Sequence, residues 1–192
     1  MITIGLEDSS VIPFMPVHPA EVLTITCNPK KSMIASYCAD GCVRIWDIDT
    51  KKVLSTEKIL SSFSKSVHGD SLGIDWSTNE RLAVTSGTQG EVSIYSINSN
   101  NHLKSEFSFQ NNDQTIVSNI KFSPDSAYIC CSSSDGEIIL YDYHLQEIVK
   151  EYGHECGMSD IIWGVNGKEL RLVFLDSQGQ LGNATLLIFL KL

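Results

Sequence analysis

Four glycines set the plan of this chain. Gly41, Gly90, Gly136 and Gly179 each follow a polar residue and precede a short strand-like run. Cys42-Val43-Arg44-Ile45-Trp46 is the clearest of these runs, with Asp40-Gly41 before it and Asp47 after it. Asp-Gly supplies the positive φ angles of a tight hairpin turn, and the alternation is that of a half-buried strand. The glycines recur every 43 to 49 residues. A unit of that size buries its apolar faces by stacking on its neighbours, so the 192 residues are expected to form one layered body rather than several domains.

The spacing inside the units supports this reading. Cys27 to Gly41, Trp76 to Gly90 and Phe122 to Gly136 are each fourteen residues, while Trp163 to Gly179 is sixteen, with two residues inserted around Gly167-Lys168. The first whole unit predicts strands over 22–27, 33–38, 42–47 and 53–57. Those over 72–76, 81–86 and 91–97 follow, then 116–122, 127–132 and 137–143, and last 160–163, 170–175 and 180–185. No stretch holds helical periodicity beyond one or two turns.

A formal charge of −9 argues against direct DNA binding by this segment, because non-specific affinity for nucleic acid comes from Lys and Arg displacing counterions. The six cysteines fall in or beside predicted strands without a C-x-x-C pair. They read as small buried apolar residues, and Cys38-x-x-x-Cys42 has no second pair to complete a zinc site, so neither metal nor cofactor is expected. No signal peptide is read at the N-terminus, and the apolar tail Leu186–Leu190 is too short for the ~20 residues of a membrane-spanning helix. Neither membrane association nor a small-molecule substrate is expected.

Units of this length with a Gly-His before the first strand and a Trp-Asp ending the third resemble WD40 repeats, which build the blades of β-propellers. The resemblance implies an all-β, partial WD40 β-propeller of about four blades of four-stranded antiparallel sheet. In the family pattern His18, Ser36, Asp40 and Trp46 would form a structural tetrad, with Asp40 accepting from His18, His18 from Ser36, and the Trp46 nitrogen donating. Ser, His and Asp are also the residues of a nucleophilic triad, but no G-x-S-x-G elbow positions Ser36, and the tetrad explains all four residues together. The other units depart from the pattern: Tyr95 and Tyr141 stand in place of Trp46, Gln89 in place of Asp40, and Cys131 in place of Ser36. No enzyme is read here.

A narrower resemblance lies in His154-Glu155-Cys156-Gly157 leading to Trp163, followed by Asp176-Ser177-Gln178-Gly179-Gln180-Leu181-Gly182. With residues 7–23 and the turns at Asn28-Pro29 and Ser123-Pro124, these are similar to the amino-terminal propeller of a replication-fork adaptor family. That family is known as chromosome transmission fidelity protein four, acidic nucleoplasmic DNA-binding protein, or WD-repeat and HMG-box DNA-binding protein. The resemblance implies a nuclear, non-enzymatic scaffold whose protein partners are the replicative helicase and DNA polymerase α–primase. The alternative is a generic WD40 adaptor in ubiquitin ligation, signalling or trafficking.

The expected organisation is the end of a preceding blade over 1–17, blades over 18–60, 68–103 and 115–150, an incomplete blade over 153–185, and an apolar tail over 186–192. Four blades are fewer than the family resembled here uses, so an open arc of a larger propeller is expected, from a truncated or spliced product with exposed strand edges. Partner binding is expected on the rim loops over 58–70, 98–114 and 144–159. Asn100, Asn101, Asn111 and Asn112 mark the first choice.

Overall fold

In the computed structural model of the chain, the described residues are 2–4, 11–13, 18–59, 72–85, 90–110, 115–166 and 169–189. They are all-β, and no helix occurs among them. A ribbon of β1 (Ile2–Ile4) and β2 (Val11–Pro13) comes first. The first four-stranded antiparallel sheet follows: β3 (Val22–Cys27), β4 (Met33–Cys38), β5 (Cys42–Asp47) and β6 (Lys52–Lys58). The second holds β7 (Ile74–Trp76), β8 (Arg81–Thr85), β9 (Glu91–Ile97) and β10 (Leu103–Gln110). The third holds β11 (Val117–Phe122), β12 (Tyr128–Ser133), β13 (Glu137–Asp142) and β14 (Glu147–Gly153). The last has three strands: β15 (Met158–Asn166), β16 (Glu169–Asp176) and β17 (Leu181–Phe189).

Each sheet is a meander of consecutive strands because its turns leave the chain no other course. Gly41, Gly90, Gly136 and Gly179 have φ of 75°, 67°, 97° and 83°, the left-handed region that a side chain resists and glycine does not. The strands then stack in series. First strand lies beside first strand, β3 by β7, β7 by β11 and β11 by β15, giving a run of four blades.

Three cores lie between successive blades. Tyr37, Val43 and Ile45 of the first face Ile74, Trp76, Leu82 and Val84 of the second. Ala83, Val92 and Ile94 then meet Ile120, Ile129 and Tyr141, and Cys130, Ile138 and Leu140 meet Met158, Ile161 and Leu172. A middle strand such as β4 is covered on both faces, which is why Met33-Ile34-Ala35-Ser36-Tyr37-Cys38 is buried throughout and does not alternate strictly in polarity.

Two expectations need correcting. The span 98–114 is not one loop, since β10 fills Leu103–Gln110 with Leu103, Phe107 and Phe109 on its inward side. The second blade thus runs past residue 103, and β14 likewise occupies much of 144–159. Both are outer strands, half exposed, so their apolar signal is thin. Nor do residues 186–189 of the tail stand apart: β17 continues to Phe189, where Leu170 pairs with Ile188 across a register shift. Gly167-Lys168 and residues 60–71 lie outside the described residues.

Candidate functional site

Three of the four tetrad positions, His18, Ser36 and Trp46, meet in the first blade. Ser36 on β4 is fully buried, and its Oγ accepts the indole N–H of Trp46 at 2.8 Å. That leaves the hydroxyl without access to solvent, unlike a nucleophile awaiting a substrate. The His18 ring packs on Trp46 with centroids 4.5 Å apart, and its Nδ1 lies 3.4 Å from Cys38 Sγ. His18 Nε2 is buried with no hydrogen-bond partner among the described residues.

Asp40 is held elsewhere. Its Oδ1 accepts the Cys42 N–H at 3.0 Å and Arg44 Nη1 at 3.2 Å, and its Oδ2 lies 2.5 Å from Arg44 Nη2. The expected His18–Asp40 link is therefore replaced by a two-pronged Arg44–Asp40 pair, with Cys38 as the neighbour of His18. A guanidinium fork offers a carboxylate two charge-assisted bonds, more than a neutral imidazole can. Arg44 stands opposite Ser36 in the β4–β5 register; it was the residue missed, and its signal was its spacing of four from Asp40. Hydrogen bonding to Arg44 holds the Asp40 carboxyl below its usual range. Burial, then the Arg44 charge, holds His18 below its ordinary 6.5.

Two of the four candidate asparagines, Asn100 and Asn101, lie in a turn. Asn98 Oδ1 accepts the N–H groups of Asn100 at 2.9 Å and His102 at 3.0 Å, and Asn101 sits at φ 62°. Asn100 and Asn101 thus close the β9–β10 turn, while Asn111 and Asn112 fall outside the described residues on the far side of β10 in sequence. The rim between the second and third blades is instead tied by Arg81, Glu106 and Tyr143. Glu106 Oε2 accepts from Arg81 Nε at 2.7 Å and from Tyr143 Oη at 3.0 Å.

Two other features have chemical content. The outward face of the last blade carries a groove of about 190 Å³ lined by Asp160, Ile162, Val173, Leu175 and Leu181 among others. Leu181 there is 78% exposed and Ile162 55%. Among the described residues, His154, Cys156 and Asp176 also bring one ligand atom each within 4.8 Å of one another. A scan for cysteine pairs cannot find that group, because it joins two turns twenty residues apart in sequence.

Known proteins match in the same terms. The family model "WD domain, G-beta repeat" matches residues 9–47 and 103–142. The second match begins with β10 of one blade and ends with β13 of the next, so a sequence repeat is offset from a sheet by one strand and joins two blades. WD repeat and HMG-box DNA-binding protein 1 of Homo sapiens is 24% identical over 93% of this chain and 16% of its own length. The Xenopus laevis protein of that name is 25% identical over 92% and 16%. COMPASS component SWD3 of Saccharomyces cerevisiae is 24% identical over 73% of this chain and 47% of its own. This chain spans about a sixth of the length of the first two. The computationally designed Ika4 protein superposes with a TM-score of 0.70 at 16% identity, over 90% of this chain and 95% of that one. Repeat period, serial antiparallel sheets and matched segments lead to one statement: the chain carries WD40 repeats over residues 9–47 and 103–142 and folds as β-propeller blades.

Proposed function

We propose that this chain is the WD40 part of a nuclear, non-enzymatic adaptor of DNA replication, one that couples the replicative helicase to DNA polymerase α–primase within its full-length protein. The observation that carries the reading is the alignment, over 93% of the chain, with WD repeat and HMG-box DNA-binding protein 1. It is joined by the His154-Glu155-x-Gly157 and Asp176-x-x-Gly179-x-Leu181-Gly182 run of the last blade. The blades support a scaffold in physical terms. In the first blade Ser36 and Trp46 satisfy one another in the interior, and the outward surfaces are left to partners. A net charge of −9 argues against direct DNA binding by this segment.

A second reading, a WD40 adaptor in another complex, rests on the comparable identity to COMPASS component SWD3 and, at 25%, to actin-interacting protein 1 of Drosophila melanogaster. Fold alone does not choose between them. Co-purification of the full-length protein from nuclear extract does. Recovery of helicase and polymerase α–primase subunits is the expected result, and recovery of COMPASS components or of actin without them overturns it.

A further inference from the structure

The geometry points to a zinc site in the last blade, formed by His154, Cys156 and Asp176. Their ligand atoms lie within 4.8 Å of one another. A tetrahedral zinc with nitrogen at 2.0–2.1 Å, sulfur at ~2.3 Å and oxygen at 2.0–2.2 Å sets its ligands about 3.5 Å apart. Closing that difference asks for rotation of the His154 and Cys156 side chains toward the buried Asp176 carboxylate.

The backbone around the site is fixed from both sides. His154 N–H donates to Gly136 O at 2.9 Å, and Ser177 N–H to Gly157 O at 2.8 Å. The packing is so close that a Cβ on Gly136 would stand 2.3 Å from His154 O, and one on Gly157 would stand 2.2 Å from Ser134 O. Asp176 is buried, and its Oδ1 accepts the N–H groups of Gln178 at 2.9 Å and Gln180 at 2.8 Å. Those bonds orient the carboxylate and leave its other oxygen for an ion, the outer-shell support that metal ligands need. His154 Nδ1 lies 3.2 Å from Cys156 N and 3.3 Å from Cys156 O. With the Nδ1–H donating to Cys156 O, Nε2 keeps its lone pair for a metal.

The first blade supplies an internal comparison. His18 corresponds to His154, and Cys38, three residues before the turn glycine, corresponds to Asp176. There the two side chains also meet, at 3.4 Å. Ala20 stands where the last blade has Cys156. In both of these blades the two positions come together, and the last blade adds a third donor. One nitrogen, one thiolate and one carboxylate oxygen suit Zn²⁺ and not Mg²⁺ or Ca²⁺, which take oxygen ligands. Three protein ligands leave a fourth position for water. The ion binds as the thiol proton leaves to solvent, and it clips the β14–β15 turn to the end of β16.

The test uses the full chain, reduced and stripped of metal. Zn²⁺ titrated against a chromophoric chelator should bind at one ion per chain and raise the thermal midpoint, reversibly with added chelator. Co²⁺ in its place should give a thiolate-to-cobalt charge-transfer band. Cys156→Ala, which installs the residue of the first blade, and Asp176→Asn should each weaken Zn²⁺ by more than the about 10–100-fold that loss of an outer-shell partner costs. Cys42→Ala should leave affinity unchanged. Absence of the band in the unsubstituted chain, or binding that survives Cys156→Ala and Asp176→Asn, overturns the site whether or not a variant folds well.

Discussion

Replacing Arg44 by Met tests the central correction, that Asp40 is held by Arg44 rather than by His18. The substitution keeps the aliphatic stem and removes both guanidinium contacts, at 3.2 and 2.5 Å. Hydrogen bonds to charged groups are worth about 1.5–3 kcal/mol, and Asp40, with 29% of its side chain exposed, recovers part of that from water. A loss of about 1–2 kcal/mol at pH 7.5 is expected. The pH dependence carries the sharper signature. Asp40 has its carboxyl held down by Arg44, so its stabilisation is present above the unfolded value of 3.8 and is lost as pH falls through the lower folded one. His18 is held below 6.5 by burial and then by the Arg44 charge. Its contribution is present above 6.5 and is lost as pH falls through its folded value. Without Arg44 both groups move back toward their ordinary values, so the deficit of Arg44→Met should narrow as pH falls below 6.5 and again below 3.8. Equilibrium urea unfolding across pH, with Arg44→Lys as the variant that keeps the charge and loses the fork, measures this. A deficit that does not change with pH, or no deficit at pH 7.5, refutes the reasoning.

Trp46→Ala should cost about 3–5 kcal/mol in the same urea assay, as loss of a buried aromatic does, and should impair no single binding activity selectively. Alanine at Gly179, where φ is 83° and nothing lies within 4 Å, should cost about 1–2 kcal/mol for the left-handed backbone alone. At Gly136, where the new Cβ would meet His154 O at 2.3 Å, the thermal midpoint should fall further. For the β9–β10 turn, Asn100→Ala should leave the melting temperature nearly unmoved, and Asn101→Gly should be better tolerated than Asn101→Ala because of its φ of 62°. Pull-down with the proposed partners then reports whether that turn takes part in binding.

Much of the fold was legible because hairpin turns are written locally. The Asp40-Gly41 and Asp135-Gly136 dipeptides announce their positive φ, and buried strands such as β5 and β13 follow at once. The outer strands were harder. β10 shows only Leu103, Phe107 and Phe109 inward and a bulge between Ser105 and Phe107, which breaks the alternation. The candidate site was less legible still. Trp46 and Ser36 could be paired from a family pattern, but the choice of Arg44 over His18 as partner of Asp40 depends on which side chains share a face. The meeting of Cys156 with Asp176 depends on two turns that only the assembled blade brings together.

The serial order of the blades also sets a timetable for synthesis. The face of the first blade that carries Tyr37, Val43 and Ile45 is covered by residues 72–84, which leave the ribosome a few seconds later at 5–20 residues per second. Hairpins close in microseconds, so each sheet can form long before its cover arrives. During that interval it offers a bare apolar surface. Growth from the N-terminus therefore proceeds by repeated capping, each new blade sheltering the one before it and waiting its own turn. The outward face of the last described blade keeps such a surface, with Ile162 and Leu181 in the open.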